Sequence, residues 1–334
     1  MAEAGGEELE LSGENCLAGS LIIGRIFSRR MEISRPKAVA VAMSGGVDSS
    51  VTAALLKEQG YAVRGVFMAF GQPDLAAHVE RVTRVAATLG VELAVVDVGT
   101  TFRREVVDYF CDAYLAGRTP NPCVVCNPTV KCGRLLAAVR EMGCAAMATG
   151  HYARLTRDGK RVRLLKGLDA TKDQSYFLHQ LGQGQLAALL FPLGDQTKEE
   201  TRRLADRFGL AGVHGSESQD VCFLQGTTVA SFLAAHRPVP PAGEVVDIAG
   251  KIVGRHGGIH CYTIGQRRGL GIPDATPYYV VGIDAAGNRV VVGKASDLWR
   301  EVLTLRAVNW VAGEPPKLPA RLTVKIRYRH GGAP

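Results

Sequence analysis

The stretch from Ala38 to Gly60 constrains this chain more than any other. Ala38-Val39-Ala40-Val41-Ala42 is an unbroken apolar run of strand length, which reads as a strand buried on both faces in a parallel sheet. Ser44-Gly45-Gly46-Val47-Asp48-Ser49 follows. Ser50 to Gln59 then places Val51, Leu55 and Leu56 at helical spacing, with Gly60 as a stop. Strand, glycine-serine turn and helix together aim backbone N–H groups and a helix N-terminus at an anion. The two glycines let the backbone approach a phosphate with no Cβ in the way. Ser44, Ser49 and Ser50 offer hydroxyl donors, and Asp48 is expected to orient a Mg²⁺ ion. The loop holds no lysine and Lys57 is well along the helix, unlike the phosphate loop that transfers a terminal phosphoryl group. Such a loop suits gripping pyrophosphate as it leaves while a nucleophile attacks the α-phosphate. A plain Gly-Ser turn is the competing explanation, and the full hexapeptide after a clean strand makes it the weaker one.

From Lys37 to about Gly150 strand and helix patterns alternate. Strands are expected at Ala62 to Phe67, Glu92 to Val98 and Ala145 to Thr149, and helices at Leu75 to Leu89 and Phe102 to Ala116. That rhythm implies an α/β fold with a doubly wound parallel sheet and ligands at the carboxyl ends of its strands. Lys198 to Phe208 reads as a helix stopped by Gly209. From about Gly243 the texture changes to short β-runs at Glu244-Ile248, Lys251-Val253, Tyr278-Ile283 and Arg289-Val292. The expected organisation is an N-terminal extension over 1–35, disordered and without assigned function, then an α/β catalytic domain over 36–226. A small β-rich central domain over 227–298 and a partial C-terminal β-barrel over 299–334 complete it, with Leu322 to Arg329 as a strand.

In a 334-residue chain, 46% hydrophobic and 22% charged content is ordinary for a globular protein. The formal charge of +8 favours an anionic partner. No run is long enough to span a membrane, and Leu17 to Gly24 is too short and too acidic in its lead-in for a secretory signal. A cytoplasmic location is expected, so the eight cysteines point to thiol, metal or redox chemistry rather than a secreted disulfide framework. Thr119-Pro120-Asn121-Pro122-Cys123-Val124-Val125-Cys126-Asn127-Pro128 is expected to be a stiff loop because of its prolines. Its Cys-x-x-Cys fits a redox pair, half a metal site, or a nucleophile with a neighbour. Cys132 follows, and Cys222 lies in Ser218-Gln219-Asp220-Val221-Cys222-Phe223. Cys16, Cys111, Cys144 and Cys261 read as inert.

Ser-Gly-Gly-Val-Asp-Ser resembles the signature of the ATP-pyrophosphatase (PP-loop) enzymes, which adenylate a carbonyl oxygen. More widely, the chain from about Pro36 to Arg329 is similar to the tRNA-specific 2-thiouridylases. The resemblance rests on Ala42 to Val51, Gly117-Arg118-Thr119-Pro120-Asn121-Pro122 with Cys126-Asn127, and Ala148-Thr149-Gly150-His151-Tyr152-Ala153-Arg154. Lys172 to Leu178, Phe191-Pro192-Leu193-Gly194 and Tyr262 to Gly271 complete it.

The resemblance implies that ATP adenylates the C2 oxygen of a tRNA wobble uridine, at position 34 of the lysine, glutamate and glutamine tRNAs, and that sulfur then displaces AMP. It implies Cys126 as nucleophile and Cys222 as persulfide carrier, closing a transient disulfide, with a sulfur-relay protein as donor. Ala42, Met43, Ser44, Gly45, Gly46, Val47, Asp48, Ser49, Met68 and Gly150 would contact ATP. Asn121, Pro122 and Cys123 would surround the target base, and His151, Lys172, Asp173, Gln174, Arg327 and Tyr328 would touch tRNA.

The chain departs from the family in three places. Cys123 stands where the family has aspartate; related enzymes with Cys-x-x-Cys hold a [4Fe–4S] cluster and use inorganic sulfide. Cys123, Cys126 and Cys222 are therefore candidate cluster ligands, with Cys132 as a substitute. After Met68 the family's Lys-Asn-Trp and acidic stretch are replaced by Ala69-Phe70-Gly71-Gln72-Pro73 and a short connection. Family members also continue beyond the match to Arg329, so a shortened barrel is expected. The competing functions are a PP-loop ligase or synthetase on another substrate, and a non-catalytic RNA- or metal-binding protein that kept the fold.

Overall fold

The computed structural model describes residues 38–210, 212 and 221–333. The expected extension over 1–35 lies outside the described residues. So do Ser218, Gln219 and Asp220 of the stretch leading to Cys222.

Five parallel strands form the main sheet: β1 (Ala38–Ala42), β2 (Ala62–Ala69), β3 (Glu92–Asp97), β4 (Ala146–Ala148) and, further along the chain, β7 (Leu189–Leu190), in the order β3-β2-β1-β4-β7. Between β4 and β7 lies an antiparallel hairpin, β5 (Ala153–Asp158) and β6 (Arg161–Lys166). The apolar run that opens the sheet sits at its centre, where both faces are covered. Val39, Val41 and Met43 pack to one side with Phe67 and Ala148. Ala40 packs to the other with Val66, Val96 and Met147. That alternation is the two-residue period of a strand read on both faces.

On the first face lie α1 (Val47–Glu58) and α2 (Leu75–Thr88), with Val51, Leu55, Leu56, Val82 and Val85 turned inward. A later helix, Lys198–Arg207, adds Ala205 to the same layer. On the second face lies a helical run expected from Phe102 to Ala116. It consists of Gly99–Phe102, a π-helical stretch Arg103–Asp108, and Tyr109–Leu115. The sheet is thus wound on both sides, and the order reverses between β1 and β4. Ligands of such sheets sit at that switch point, outside the carboxyl ends of the strands.

A second, four-stranded sheet of order β10-β11-β8-β9 follows, made of β8 (Gly243–Asp247), β9 (Ile252–His256), β10 (Tyr279–Asp284) and β11 (Arg289–Gly293). Its core is Val245, Ile259, Val280, Val290 and Val292.

Two expectations are corrected. The proline-rich segment is not a loop: α3 (Pro122–Cys126) is an α-helix that runs into a π-helical stretch Asn127–Leu135 and then Leu136–Glu141. Pro122 occupies the first turn, where a missing N–H costs nothing, and Asn121 before it is extended as a residue preceding proline should be. The wide turns of the π-helix accommodate Pro128, and Gln185 Nε2 satisfies the carbonyls of Pro128 and Cys132 at 2.7 and 2.9 Å. Nor is Leu322 to Arg329 a strand. Within it only Val324 is bridged, to Ala333, and a β-run without a hydrogen-bonded neighbour along its length does not hold a strand conformation.

The glycine of Phe191-Pro192-Leu193-Gly194 has a steric reason. A Cβ there would overlap the carbonyl oxygen of Ala153 and press on its carbon at 2.8 Å. Gly194→Ala should therefore destabilise the fold by about 1–3 kcal/mol through overpacking. A thermal melt indistinguishable from the parent would contradict this.

Candidate active site at the switch point

The Ser44–Ser49 loop leaves β1 where expected and turns into α1. Gly45 has φ +76, a left-handed conformation that glycine adopts freely. Gly46 is the N-cap of α1 and no side chain caps the helix, so its first N–H groups point at the anion position. The serines divide their work in a way the sequence did not reveal. The hydroxyls of Ser49 and Ser50 donate to the Gly46 carbonyl at 3.0 and 2.8 Å, and Ser49 Oγ accepts from Ser44 N at 3.1 Å. They brace the loop, while Ser44 stays exposed at its tip.

Gly150 closes the other side. A Cβ on it would lie 3.0 Å from the carbonyl carbon of Asp48 and 3.1 Å from Ser49 N. The Thr149-Gly150-His151 turn after β4 and the loop after β1 therefore meet at the switch point. Ala42 and Met68 pack half-buried on the second-face core, and Met43 is buried below the loop.

Asp48 departs most from expectation. Its two carboxylate oxygens lie 2.7 and 2.9 Å from Lys198 Nζ, and Tyr152 OH donates to Oδ1 at 3.0 Å. Lys198 is only 8% exposed. Burial, and then the charge of Asp48, push the Tyr152 phenol well above its ordinary range. With an ammonium on both oxygens, Asp48 has the chemistry of a Mg²⁺ ligand but not the freedom of one; the expected role does not fit this arrangement. Sequence reading missed Lys198 because the loop and this lysine are far apart in the chain. The available signal was Thr197-Lys198-Glu199-Glu200, whose capping box sets Lys198 at the first position of its helix.

The cysteines occupy a second zone. Cys123 and Cys222 are exposed and Cys126 is half-buried. Phe223 anchors Cys222 by packing edge-on against Phe110 at 5.1 Å and Phe102 at 5.8 Å. Desolvation pushes the Cys126 thiol up to about 11 and Cys222 up to about 12. After desolvation, Cys126 and then Cys123 raise Cys222 further, and Cys126 and Phe223 pack against the same apolar core. Lys131 pulls the other way on Cys123, Cys126, Cys132 and Cys222. Among the described residues no three His, Cys, Asp or Glu side chains converge enough to hold a metal ion. As placed, Cys123, Cys126 and Cys222 are neighbours rather than a ligand set, and the cluster expectation gains no support.

Residues expected to touch tRNA split into two groups. Arg327 donates to the Ile264 carbonyl, and Tyr328 packs on Phe177 and Tyr176 at 4.5 and 6.1 Å. Thr119 donates to Thr263 at 3.0 Å, and Tyr176 OH donates to the Ile326 carbonyl at 3.5 Å. Segments far apart in the chain thus meet next to α3, at whose start Pro122 is buried. Asp173 and Gln174 instead organise the turn. Asp173 is buried and accepts from Gly167 N and Ser175 N, and Gln174 accepts from Tyr152 N at 3.0 Å. Lys172 is half-buried beside them. His151 Nδ1 sits 2.6 Å from Thr149 Oγ1, and desolvation, helped by Lys131, holds its pKa well below the usual value. Its ring is neutral at physiological pH.

Two family models match the chain: tRNA methyl transferase HUP domain over residues 37–226 and tRNA methyl transferase PRC-barrel domain over residues 230–294. The tRNA-specific 2-thiouridylase MnmA of Magnetococcus marinus is 46% identical over 309 residues, 89% of this chain and 86% of the relative. That of Syntrophotalea carbinolica is 45% identical over 306 residues, 89% of this chain and 86% of the relative. The chain belongs to the tRNA-specific 2-thiouridylase family. Among solved structures, a 4-thiouridine synthetase–RNA complex with bound ATP aligns at TM-score 0.36 and 16% identity, covering 60% of this chain and 46% of that one. So loose a likeness adds nothing to the assignment. This 2-thiouridylase-family chain combines the family's loop with a Cys-x-x-Cys helix.

Two outcomes are expected from this site. Lys198→Met leaves Asp48 with Tyr152 alone and should cost about 1–3 kcal/mol in urea unfolding, discounted for the exposure of Asp48; an unchanged midpoint would show that the pair contributes nothing. Because burial raises the Cys126 thiol, its reactive thiolate is scarce at neutral pH and grows as pH rises toward about 11. Iodoacetamide labelling of Cys126, followed by mass spectrometry, should keep accelerating beyond pH 9. A plateau near the free-cysteine value of about 8.5 would contradict the burial effect.

Proposed function

We propose that this chain catalyses ATP-dependent 2-thiolation of the wobble uridine of tRNA, adenylating the uracil C2 oxygen at the switch-point loop and delivering sulfur through Cys126 and Cys222. The observation that supports it most is spatial. A loop with uncapped helix N–H groups, Cys126 and the segment carrying Cys222 belong to one compact unit, Cys126 and Phe223 packing on one core. The aromatic and basic segments next to α3 belong to it as well.

The loop and helix N-terminus hold the phosphates while the uracil oxygen attacks the α-phosphorus; the bond to pyrophosphate breaks and its electron pair leaves with pyrophosphate. The AMP ester makes C2 electrophilic. A persulfide on Cys222 then supplies sulfur, Cys126 attacks the sulfur–sulfur bond, and AMP departs as the carbon–sulfur bond forms. The disulfide left between Cys126 and Cys222 awaits reduction by a thiol donor. Mg²⁺, when bound with the nucleotide, would neutralise charge on the phosphates, while Asp48 stays engaged by Lys198 and Tyr152. Cys123 takes the place of the family's aspartate beside the target base, and a neutral His151, Tyr176 and Tyr328 are suited to stacking on unpaired bases. The tRNAs are those with a wobble uridine for lysine, glutamate and glutamine, and the setting is cytoplasmic, with a persulfide relay protein as donor.

Pyrophosphate release should require added unmodified tRNA. A small-molecule ligase would release it without RNA, and a binding protein would not release it at all. Cys126→Ser should abolish 2-thiouridine in tRNA digests read by mass spectrometry while leaving adenylation intact. Active protein carrying stoichiometric iron and sulfide, and losing activity when they are removed, would overturn the relay reading.

A further inference from the structure

The loop lacks a lysine, and the lysine that reaches it is spent on Asp48. Another cation is in place. Arg81, on α2, lies against Gly45: a Cβ on that glycine would be 3.1 Å from Arg81 Nε and 3.5 Å from its Cγ. Arg81 Nε is buried and has no hydrogen-bond partner. Among the described residues Nη2 meets only the ring nitrogen of His78, at 2.7 Å, and no carboxylate pairs with Arg81. A buried charged donor with nothing to donate to is costly unless an anion completes it.

The backbone around it explains how it arrives there. The short connection after β2 is pinned by Gln72, which is buried, accepts from Phe70 N at 2.8 Å and donates to the Met68 carbonyl. This connection starts α2 one turn after the strand and brings its middle against the loop.

We propose that the Arg81 guanidinium binds the β- and γ-phosphates of ATP over the Ser44–Ser49 loop and retains them as pyrophosphate. This rests on the reading of the loop as an ATP-pyrophosphatase site. The guanidinium fork matches phosphate oxygens, and Gly45 leaves the space in which the two approach. As the α–β phosphoanhydride bond breaks, its electron pair goes to the leaving oxygen, and Arg81 meets the charge that develops there. No proton moves to or from Arg81.

Titration calorimetry with inorganic pyrophosphate, ATP and AMP on the full chain tests this. Arg81→Gln should weaken pyrophosphate and ATP by about 10- to 100-fold, the size of a hydrogen bond to a charged group, and leave AMP binding unchanged. Arg81→Lys, which keeps the charge but not the fork, should fall between. Equal losses for AMP and ATP would overturn the proposal, because Arg81 would then only shape the loop. Unchanged pyrophosphate binding with weakened tRNA binding would overturn it in favour of an RNA contact. Wild-type protein that binds neither ATP nor pyrophosphate would overturn it together with the site reading beneath it.

Discussion

The ion pair between Asp48 and Lys198 joins parts of the chain that the sheet alone would leave independent. Asp48 opens the helix that follows β1, Lys198 opens a helix that follows β7, and Tyr152, hydrogen-bonded to the same carboxylate, follows β4. Three carboxyl ends of parallel strands are therefore tied at one polar node. The opposite charges also shield the anion site from a carboxylate that would otherwise repel a phosphate. A loop rich in glycine gains its definition from this clasp rather than from its own conformational preferences.

What was legible in the sequence had a local physical cause. The Ala38 to Ala42 run fixed its own burial, and Ser44 to Ser49 announced an anion site through glycine and helix geometry. The β-runs after Gly243 became strands within a few residues of where alternation put them. What escaped had a distant cause. Lys198 is a surface-type residue until it is seen beside Asp48, and Arg81 looks like one more solvated cation on an amphipathic helix. The prolines around Cys123 misled because their density was weighed without their positions. One in the first turn of a helix is harmless, and one in a π-turn is accommodated. Leu322 to Arg329 has strand composition, but strand structure is a property of a pair.

The cysteine zone shows a different economy. Desolvation raises the pKa of the Cys126 and Cys222 thiols, so the reactive thiolate is scarce at neutral pH. Lys131 and the proximity of the thiols to one another supply opposing influences whose balance changes once a base or a sulfur atom enters. Phe223, wedged among Phe102, Phe110 and Phe232, holds its neighbour Cys222 to the helical layer.

The π-helical stretch after Cys126 also sets an angle. At 3.6 residues per turn, positions five apart point about 140° away from each other around a helix axis. Lys131 is the fifth residue after Cys126, and in an ordinary α-helix it would face away from the thiol. The wider turn swings Lys131 back toward Cys126, where its charge opposes the rise in the thiol pKa that burial causes. One surplus residue per turn thus turns a lysine from the far side of a helix toward the thiol whose ionisation it eases.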